Sequence, residues 1–236
     1  MSSISNQIIY WEKYEGKIDL CLDNFYTPLG NVCKAIAKCN PETEDKYCAL
    51  IEILLIKKSN PNYYSMHMKP PLQIILEKKN TISENFMFKI ISLLIKFDAD
   101  VNIQPNIFEC AIHCIYPKII ELLLQNNISY SNKNNLGLTP TQTLKHLKAY
   151  HPSNKNLKII HDLLVTHRKK ITQSKQQLIS SGESNQELVS SGEFNQELDK
   201  DLKIEELTKL VEKLQKKCDE QEKLIVLLQT PLSDGE

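Results

Sequence analysis

The stretch Ile90-Ile-Ser-Leu-Leu-Ile-Lys-Phe-Asp-Ala-Asp-Val-Asn102 decides the fold of this chain. Its isoleucines and leucines form a wide apolar stripe, which predicts a helix that is buried on one side. The chain is then predicted to leave the helix in a tight turn at Phe97–Asp100. Val101–Asn102 is predicted to resume in extended form, as the first strand of a hairpin. The same string occurs more than once.

Three further copies are present, and internal repeats must be recognised before any other feature is interpreted. Leu50–Asn62 and Ile119–Ser131 align with the string position for position, whereas Ile159–Val165 keeps the helical half and loses the turn. The unequal spacing of the copies predicts insertions between the two helices of a unit. These insertions are polar and rich in turn-forming residues, and they span 39–45, 79–85 and 151–156.

A second apolar run precedes each copy and begins with a proline signal in three of the four units. The runs open at Thr27-Pro28-Leu29, Pro70-Pro71-Leu72, Asn106-Ile107-Phe108 and Thr139-Pro140-Thr141. Proline is favoured in the first turn of a helix, because its missing N–H has no intrahelical partner there. Each unit is therefore predicted to be a helix, a loop, a second helix and a hairpin-like turn.

Thr-Pro-Leu, a helix such as Ile-Ile-x-Leu-Leu-Ile, and the turn Asp98-Ala-Asp-Val-Asn102 together resemble the ankyrin repeat. The resemblance implies an all-α fold, with a helix-loop-helix solenoid of about four irregular repeats at 26–170. Residues 1–25 then form a degenerate capping repeat whose Trp11 covers the open apolar face. At the helix end, where the family usually has glycine, this chain has Lys58, Asp98 or Asn127. The family's histidine is replaced by Gly30, Gln73, Glu109 and Gln142. These departures predict marginal stability.

Beyond residue 170 the composition changes. A ten-residue duplication rich in Ser, Gly, Gln and Glu lies at 178–198. It contains too little apolar material to fold alone, so we predict a flexible linker at 171–198. The duplication is interpreted as a spacer, with a recognition motif shown twice as the alternative.

A coiled coil is predicted at 199–230, followed by a disordered tail at 231–236. Its a and d positions step by seven residues in a charged, helix-forming background. They are Ile204, Leu207, Val211, Leu214, Cys218, Gln221, Ile225 and Leu228. β-branched residues at a with leucine at d favour a parallel dimer. A trimer or a coil with another protein stays open, because Gln221 weakens the seam and further leucines widen it.

Function in a stacked repeat is expected on the concave strip that stacking leaves open, formed by hairpin tips and first-helix faces. Aromatic residues and methionines on such tips are typical of adaptable interfaces. The partner-binding candidates are Phe25, Tyr26, Tyr64, Met66, His67, Met68, Gln104, His113, Asn135 and Leu136. The alternative is that these side chains only pack on neighbouring hairpins.

The chain lacks a phosphate-binding loop, a dinucleotide fingerprint and a paired-carboxylate motif, so we predict no enzyme activity and no cofactor. The competing hypothesis is a metal- or thiol-dependent activity around Cys110, His113 and Cys114. No second Cys/His pair lies at zinc-site spacing from this group, so a structural role is favoured. A purely structural dimeric spacer is a third possibility.

Charge and cysteine content restrict the class of partner. Residues 1–170 carry 21 Lys/Arg and 15 Asp/Glu, and residues 171–236 carry 8 and 14. This balance does not predict nucleic-acid binding. Scattered cysteines, no apolar run of membrane length and no secretory signal predict a cytoplasmic protein. Ankyrin proteins of this composition resemble those with which large DNA viruses and intracellular bacteria redirect host proteins.

Asn102 occupies the position that some ankyrin repeats offer to an asparaginyl hydroxylase. The resemblance therefore implies a possible modification site at this residue. The competing hypothesis is that the Asn102 side chain hydrogen-bonds within its own turn.

Overall fold

The computed structural model describes residues 3–16, 18–19, 26–129, 133–134, 136–180, 211 and 213–216. The chain divides into two compact units, Met1–Gln176 and Gln177–Glu236. Within the described ranges the structure is α-helical, as predicted, and the β pairing found there is an isolated antiparallel bridge between Ser65 and Met68.

The helices are α1 (Ile4–Lys13), α2 (Pro28–Ala35), α3 (Glu44–Ile56), α4 (Pro71–Leu76), α5 (Glu84–Lys96), α6 (Ile107–Cys114), α7 (Pro117–Gln125), α8 (Pro140–Tyr150) and α9 (Lys155–Ser180). Short 3-10 turns at Ile36–Lys38 and Pro41–Thr43 lie between α2 and α3. The predicted starts of the even-numbered helices are confirmed. At α8, the Thr139 backbone N–H donates to Gln142 Oε1 at 2.8 Å and the Gln142 backbone N–H to Thr139 Oγ1, forming a capping box.

The helices stack in two rows. The even row is formed by α2, α4, α6 and α8, in which each helix contacts the next. The odd row is formed by α3, α5 and α7, in which each helix also contacts the next. The two rows meet because α2 packs against α3, α4 against α5 and α6 against α7. The predicted insertions lie in the connections within these pairs. Only Ile115 and Tyr116 separate α6 from α7, which explains the short spacing between the second copy, at Ile90, and the third, at Ile119.

Hydrogen bonds place α9 beside α7 and α8. Asn156 Nδ2 donates to the carbonyl of Ile115, just before α7, at 3.2 Å. His167 bonds the backbone of Leu124, and the guanidinium of Arg168 donates to the hydroxyl of Thr141 in α8. We therefore treat α9 as the fourth member of the odd row.

The core lies between the two rows and contains the predicted apolar ridges. On the odd row, the buried ridge residues are Leu50, Ile51, Leu54, Leu55, Ile90, Ile91, Leu94, Ile119, Ile120, Leu123, Leu124, Ile160 and Leu164. The helix α1 contacts α3, with Trp11 and Tyr14 half-buried, so it covers part of the first odd-row helix. Each fully buried ridge side chain contributes about 1.5–3 kcal/mol.

Three odd-row helices end in the same way. Lys58, Asp98 and Asn127 have φ values of 65°, 65° and 59°, in the left-handed region. The residue after each donates its N–H to the carbonyl five positions back, as in Ser59 to Leu54 at 3.0 Å. This is the Schellman motif, in which glycine is preferred because it avoids steric strain at positive φ. The three residues are those that the repeat alignment places at the glycine position.

Replacing Lys58 by glycine is therefore expected to stabilise the protein, by about 0.5–1 kcal/mol. The substitution relieves left-handed strain, at some cost in unfolded-state entropy. Lys58 is exposed, so little packing is lost. The measurement is the free energy of urea unfolding, with Lys145→Gly as the matched control. Lys145 is exposed in the interior of α8, so that variant is expected to lose about 1 kcal/mol. Destabilisation by Lys58→Gly would contradict the strain argument.

Side chains also join successive turns. Asn62 Nδ2 donates to the carbonyl of Asp98, and Asn62 Oδ1 accepts from the N–H of Asp100, both at 2.7 Å. Asn102 makes the same pair of bonds one unit later, to the carbonyl of Asn127 at 3.1 Å and from the N–H of Ser129 at 2.8 Å. The Asn102 side chain therefore bonds the next turn. Within its own turn, the Asn102 backbone N–H donates to Asp100 Oδ1 at 2.8 Å.

Three expectations need correction. Val101 and Asn102 lie in a turn and not in a strand, because the asparagine bridges hold this segment folded back. Ile159 is 47 % exposed whereas Ile160 is fully buried, so the fourth ridge is shifted by one residue. The helix α9 runs to Ser180, ten residues into the predicted linker. The segment from Lys170 to Ser180 contains no proline or glycine, so its low apolar content does not stop the helix.

Candidate functional site

The connections from the odd row to the even row carry most of the predicted partner-binding residues. Three of these residues are strongly exposed: Tyr64 at 50 %, Met66 at 92 % and Leu136 at 80 %. Tyr64 and Met66 lie in the connection before α4, and Leu136 lies in the connection before α8. His67 is also exposed. We call Tyr64, Met66, His67 and Leu136 the tip residues.

Met68 does not belong to this surface, and the expectation that it does is wrong. Its side chain is only 2 % exposed. A Cβ built on Gly30 would lie 2.9 Å from Met68 Cε, so the methionine packs against the bare backbone of α2. The bridge between Ser65 and Met68 reverses the chain and turns Met66 outward and Met68 inward. Met68 therefore stabilises the contact between the first two helix pairs.

The remaining candidates are less exposed or lie elsewhere. Tyr26 is half-buried, and Lys34 Nζ lies 4.6 Å from its ring centroid in a cation–π contact. Gln104 and His113 are also half-buried. Phe25 and Asn135 fall outside the described residues.

Two glutamates of the even row anchor the tip connections. Glu77, the residue that follows α4, accepts at Oε1 from Lys69 Nζ at 2.7 Å and from Gln73 Nε2 at 3.0 Å. Glu109 Oε1 of α6 accepts from Asn134 Nδ2 at 2.6 Å, and His113 Nε2 lies 3.8 Å away. These contacts hold the base of each connection against a helix and leave the tip free to project.

Lys69 and Glu109 are not among the residues predicted from the sequence to bind a partner. Glu109 stands at the position where the resemblance to the ankyrin repeat predicts a histidine. This departure from the repeat pattern is the feature of the sequence that marks Glu109. The sequence does not show that Asn134, 25 residues later, supplies its partner, because that contact depends on how far the connection folds back. Charged side chains at this surface therefore act first as structural tethers.

In the candidate group Cys110, His113 and Cys114, the third residue is buried and the other two are half-buried. Cys114 Sγ is buried and donates to the carbonyls of Leu76 at 3.1 Å and Cys110 at 3.2 Å. Burial raises the pKa of Cys110 to about 11 and the pKa of Cys114 to about 12. Burial therefore favours the protonated form of both thiols, whereas the thiolate is the form that attacks as a nucleophile. Over the described part of the chain, no three His, Cys, Asp or Glu side chains are placed to hold a metal ion.

Two of the eight predicted coiled-coil positions lie within the described residues. Val211 and Leu214 lie in helical backbone and are 61 % and 53 % exposed. Ile204, Leu207, Cys218, Gln221, Ile225 and Leu228 fall outside the described residues. The exposure of Val211 and Leu214 leaves both side chains accessible to another helix.

None of the helices in the described ranges has the length and apolar content to cross a membrane. No protein-family model matches the chain, and none of the curated proteins compared with it shows significant sequence similarity to it.

Proposed function

We propose that this chain is a non-enzymatic protein–protein interaction scaffold of the ankyrin-repeat type. The paired helices stacked in two rows, the buried ridges and the recurring helix ends at Lys58, Asp98 and Asn127 support the repeat architecture. In this proposal a partner protein binds the strip formed by the tip residues and the adjacent faces of the even row.

The observation that carries the proposal is the exposure of Tyr64, Met66 and Leu136 on short polar connections. Exposing large apolar side chains to water does not stabilise an isolated chain. Aromatic residues and methionines are common anchors of protein interfaces. The glutamate tethers fix the base of each connection, so the tips are presented at low entropic cost.

The proposal includes a second module. The heptads at 204–228 are suited to self-association or to recruitment of another protein. A linker that connects two binding modules raises the effective concentration of the protein bound to one module near the protein bound to the other. We place the protein in the cytoplasm, or in the host cytoplasm if its source is a virus or an intracellular bacterium. That last step rests on analogy with the family alone.

Replacing Tyr64, Met66 and Leu136 together by serine is expected to abolish partner capture by the whole chain. The matched control replaces Ile9, Ile56 and Phe88 by serine, because these are exposed apolar residues of α1, α3 and α5. The measurement is cross-linking capture from cell extract with quantitative mass spectrometry. Proteins held by the wild type and the control should fall at least about tenfold with the tip variant. Equal capture by all three chains would overturn the assignment of this surface.

A further inference from the structure

Side-chain contacts join the helices of the odd row, and the acceptor and the donor are arranged in the same order in each contact. Asp45 Oδ1 of α3 lies 3.1 Å from Lys89 Nζ of α5, and Glu52 Oε1 lies 3.6 Å from Lys96 Nζ. One layer later, Asn85 Oδ1 of α5 accepts from Lys118 Nζ of α7 at 2.9 Å. Each earlier helix therefore supplies the oxygen, and each later helix supplies the lysine.

On the same flank of α9, one of the two acidic positions of α3 is replaced by a lysine. The odd-row helices can be aligned on one buried residue each, namely Leu50, Ile90, Ile119 and Ile160. Five positions before Leu50, Ile90 and Ile160 stand Asp45, Asn85 and Lys155, respectively. Lys155 thus occupies the position that supplies an oxygen in α3 and α5. Asp162 corresponds to Glu52 and keeps its acidic character.

The charges on this flank form a regular pattern. Lys155, Asp162 and Lys169 are seven residues apart, so they follow one side of the helix, and all three are exposed. In the described ranges, the Asp162 carboxylate has a contact to His161 at 3.4 Å, and no ion pair engages Lys155 or Lys169. Lys155 also opens α9, where the positive end of the helix dipole disfavours a cation and favours a carboxylate.

Apolar surface accompanies these charges. On α9 itself, Val165 is half-buried and Ile159 is 47 % exposed. The buried stripe of α9, which includes Leu157 and Leu164, already packs into the core. This flank therefore offers isolated apolar contacts between charges, and not the continuous apolar face that a membrane-surface helix inserts into lipid. The acidic residue between the lysines also makes a poor match to a nucleic-acid backbone.

We propose that this flank of α9 docks an amphipathic helix of a partner protein with the complementary pattern, a carboxylate, a lysine and a carboxylate at seven-residue intervals. The docked helix would extend the odd row by one member. Its carboxylates would face Lys155 and Lys169, and its lysine would face Asp162. The pair at Asp162 would repeat the contact of Glu52 with Lys96, and the pair at Lys155 would reverse the signs of the contact of Asp45 with Lys89. This surface is separate from the tip residues.

The test uses the full chain and two fluorescent helical peptides with the same leucine stripe. One peptide carries Glu, Lys and Glu at seven-residue intervals, and the other carries Lys, Glu and Lys. Fluorescence anisotropy should show at least about tenfold tighter binding of the first peptide, with the preference falling as salt is added. The double variant Lys155→Glu/Lys169→Glu should prefer the second peptide. Lys155→Gln/Lys169→Gln should keep only the weaker preference for the first peptide that Asp162 supplies.

Equal affinity for the two peptides, or a preference that survives both double variants, would overturn the proposal. Tighter binding of duplex DNA or anionic lipid vesicles than of the first peptide would also overturn it. The tip variant should bind the first peptide as the wild type does, so the outcome is independent of the partner-capture experiment. Circular dichroism of each variant checks that the exposed substitutions leave the helices intact.

Discussion

Replacing Leu94 by alanine is expected to lower the free energy of unfolding by about 2–5 kcal/mol. Leu94 is fully buried on α5, which contacts α3 on one side and α7 on the other. The substitution removes apolar contacts and leaves a cavity in the middle of the odd row, where neighbouring helices on both sides limit relaxation. A loss of this size is a large fraction of the stability of an ordinary domain.

The measurement is urea unfolding followed by far-UV circular dichroism. The matched control is Ile56→Ala, because Ile56 is an aliphatic residue at the end of α3 that is 62 % exposed. The control is expected to stay within about 0.5 kcal/mol of the wild type. If both variants lost the same stability, Leu94 would not belong to a core shared by several helices. A loss of cooperativity in the Leu94 variant would instead show that the two ends of the row unfold separately.

The apolar ridges could be predicted because each depends on local spacing. In Ile90–Asn102 the helical period selects which side chains face inward, and neighbouring copies supply the same period, so all of them can share one core. The shift in the fourth copy arose because Ile159 and Ile160 are chemically equivalent. Only the packing of α9 on its neighbours decides which of the two is buried.

The tip surface could be predicted only in part, because turns lack a period. Tyr64, Met66 and Met68 all looked suitable for an exposed tip. Met68 is buried because Gly30, 38 positions earlier in the chain, leaves room for it. Such a contact depends on two distant segments at once, and neither segment shows it alone. The same reason hides the tether between Glu109 and Asn134.

The extent of α9 was missed for a different reason. Low apolar content correctly indicates that a segment cannot form its own core, but it does not prevent a helix that is already nucleated from continuing. The first turns of α9 are anchored by Leu157, Ile160 and Leu164, all buried. Residues 171–180 then add to an existing helix, and strong breakers are absent until Gly182.

Replacing Asn62 by alanine is expected to destabilise the protein by about 1–2 kcal/mol, because two hydrogen bonds are lost at about 1 kcal/mol each. Both bonds are 2.7 Å long and join the turn after α3 to the turn after α5. Asn80→Ala is the matched control, since Asn80 is an exposed asparagine in the loop between α4 and α5. Hydrogen exchange gives a local readout: the amide of Asp100 should exchange faster in the Asn62 variant and not in the control. Unchanged exchange at Asp100 would mean that solvent replaces the bridge without cost, and the turns would then be held together by the helix ridges alone.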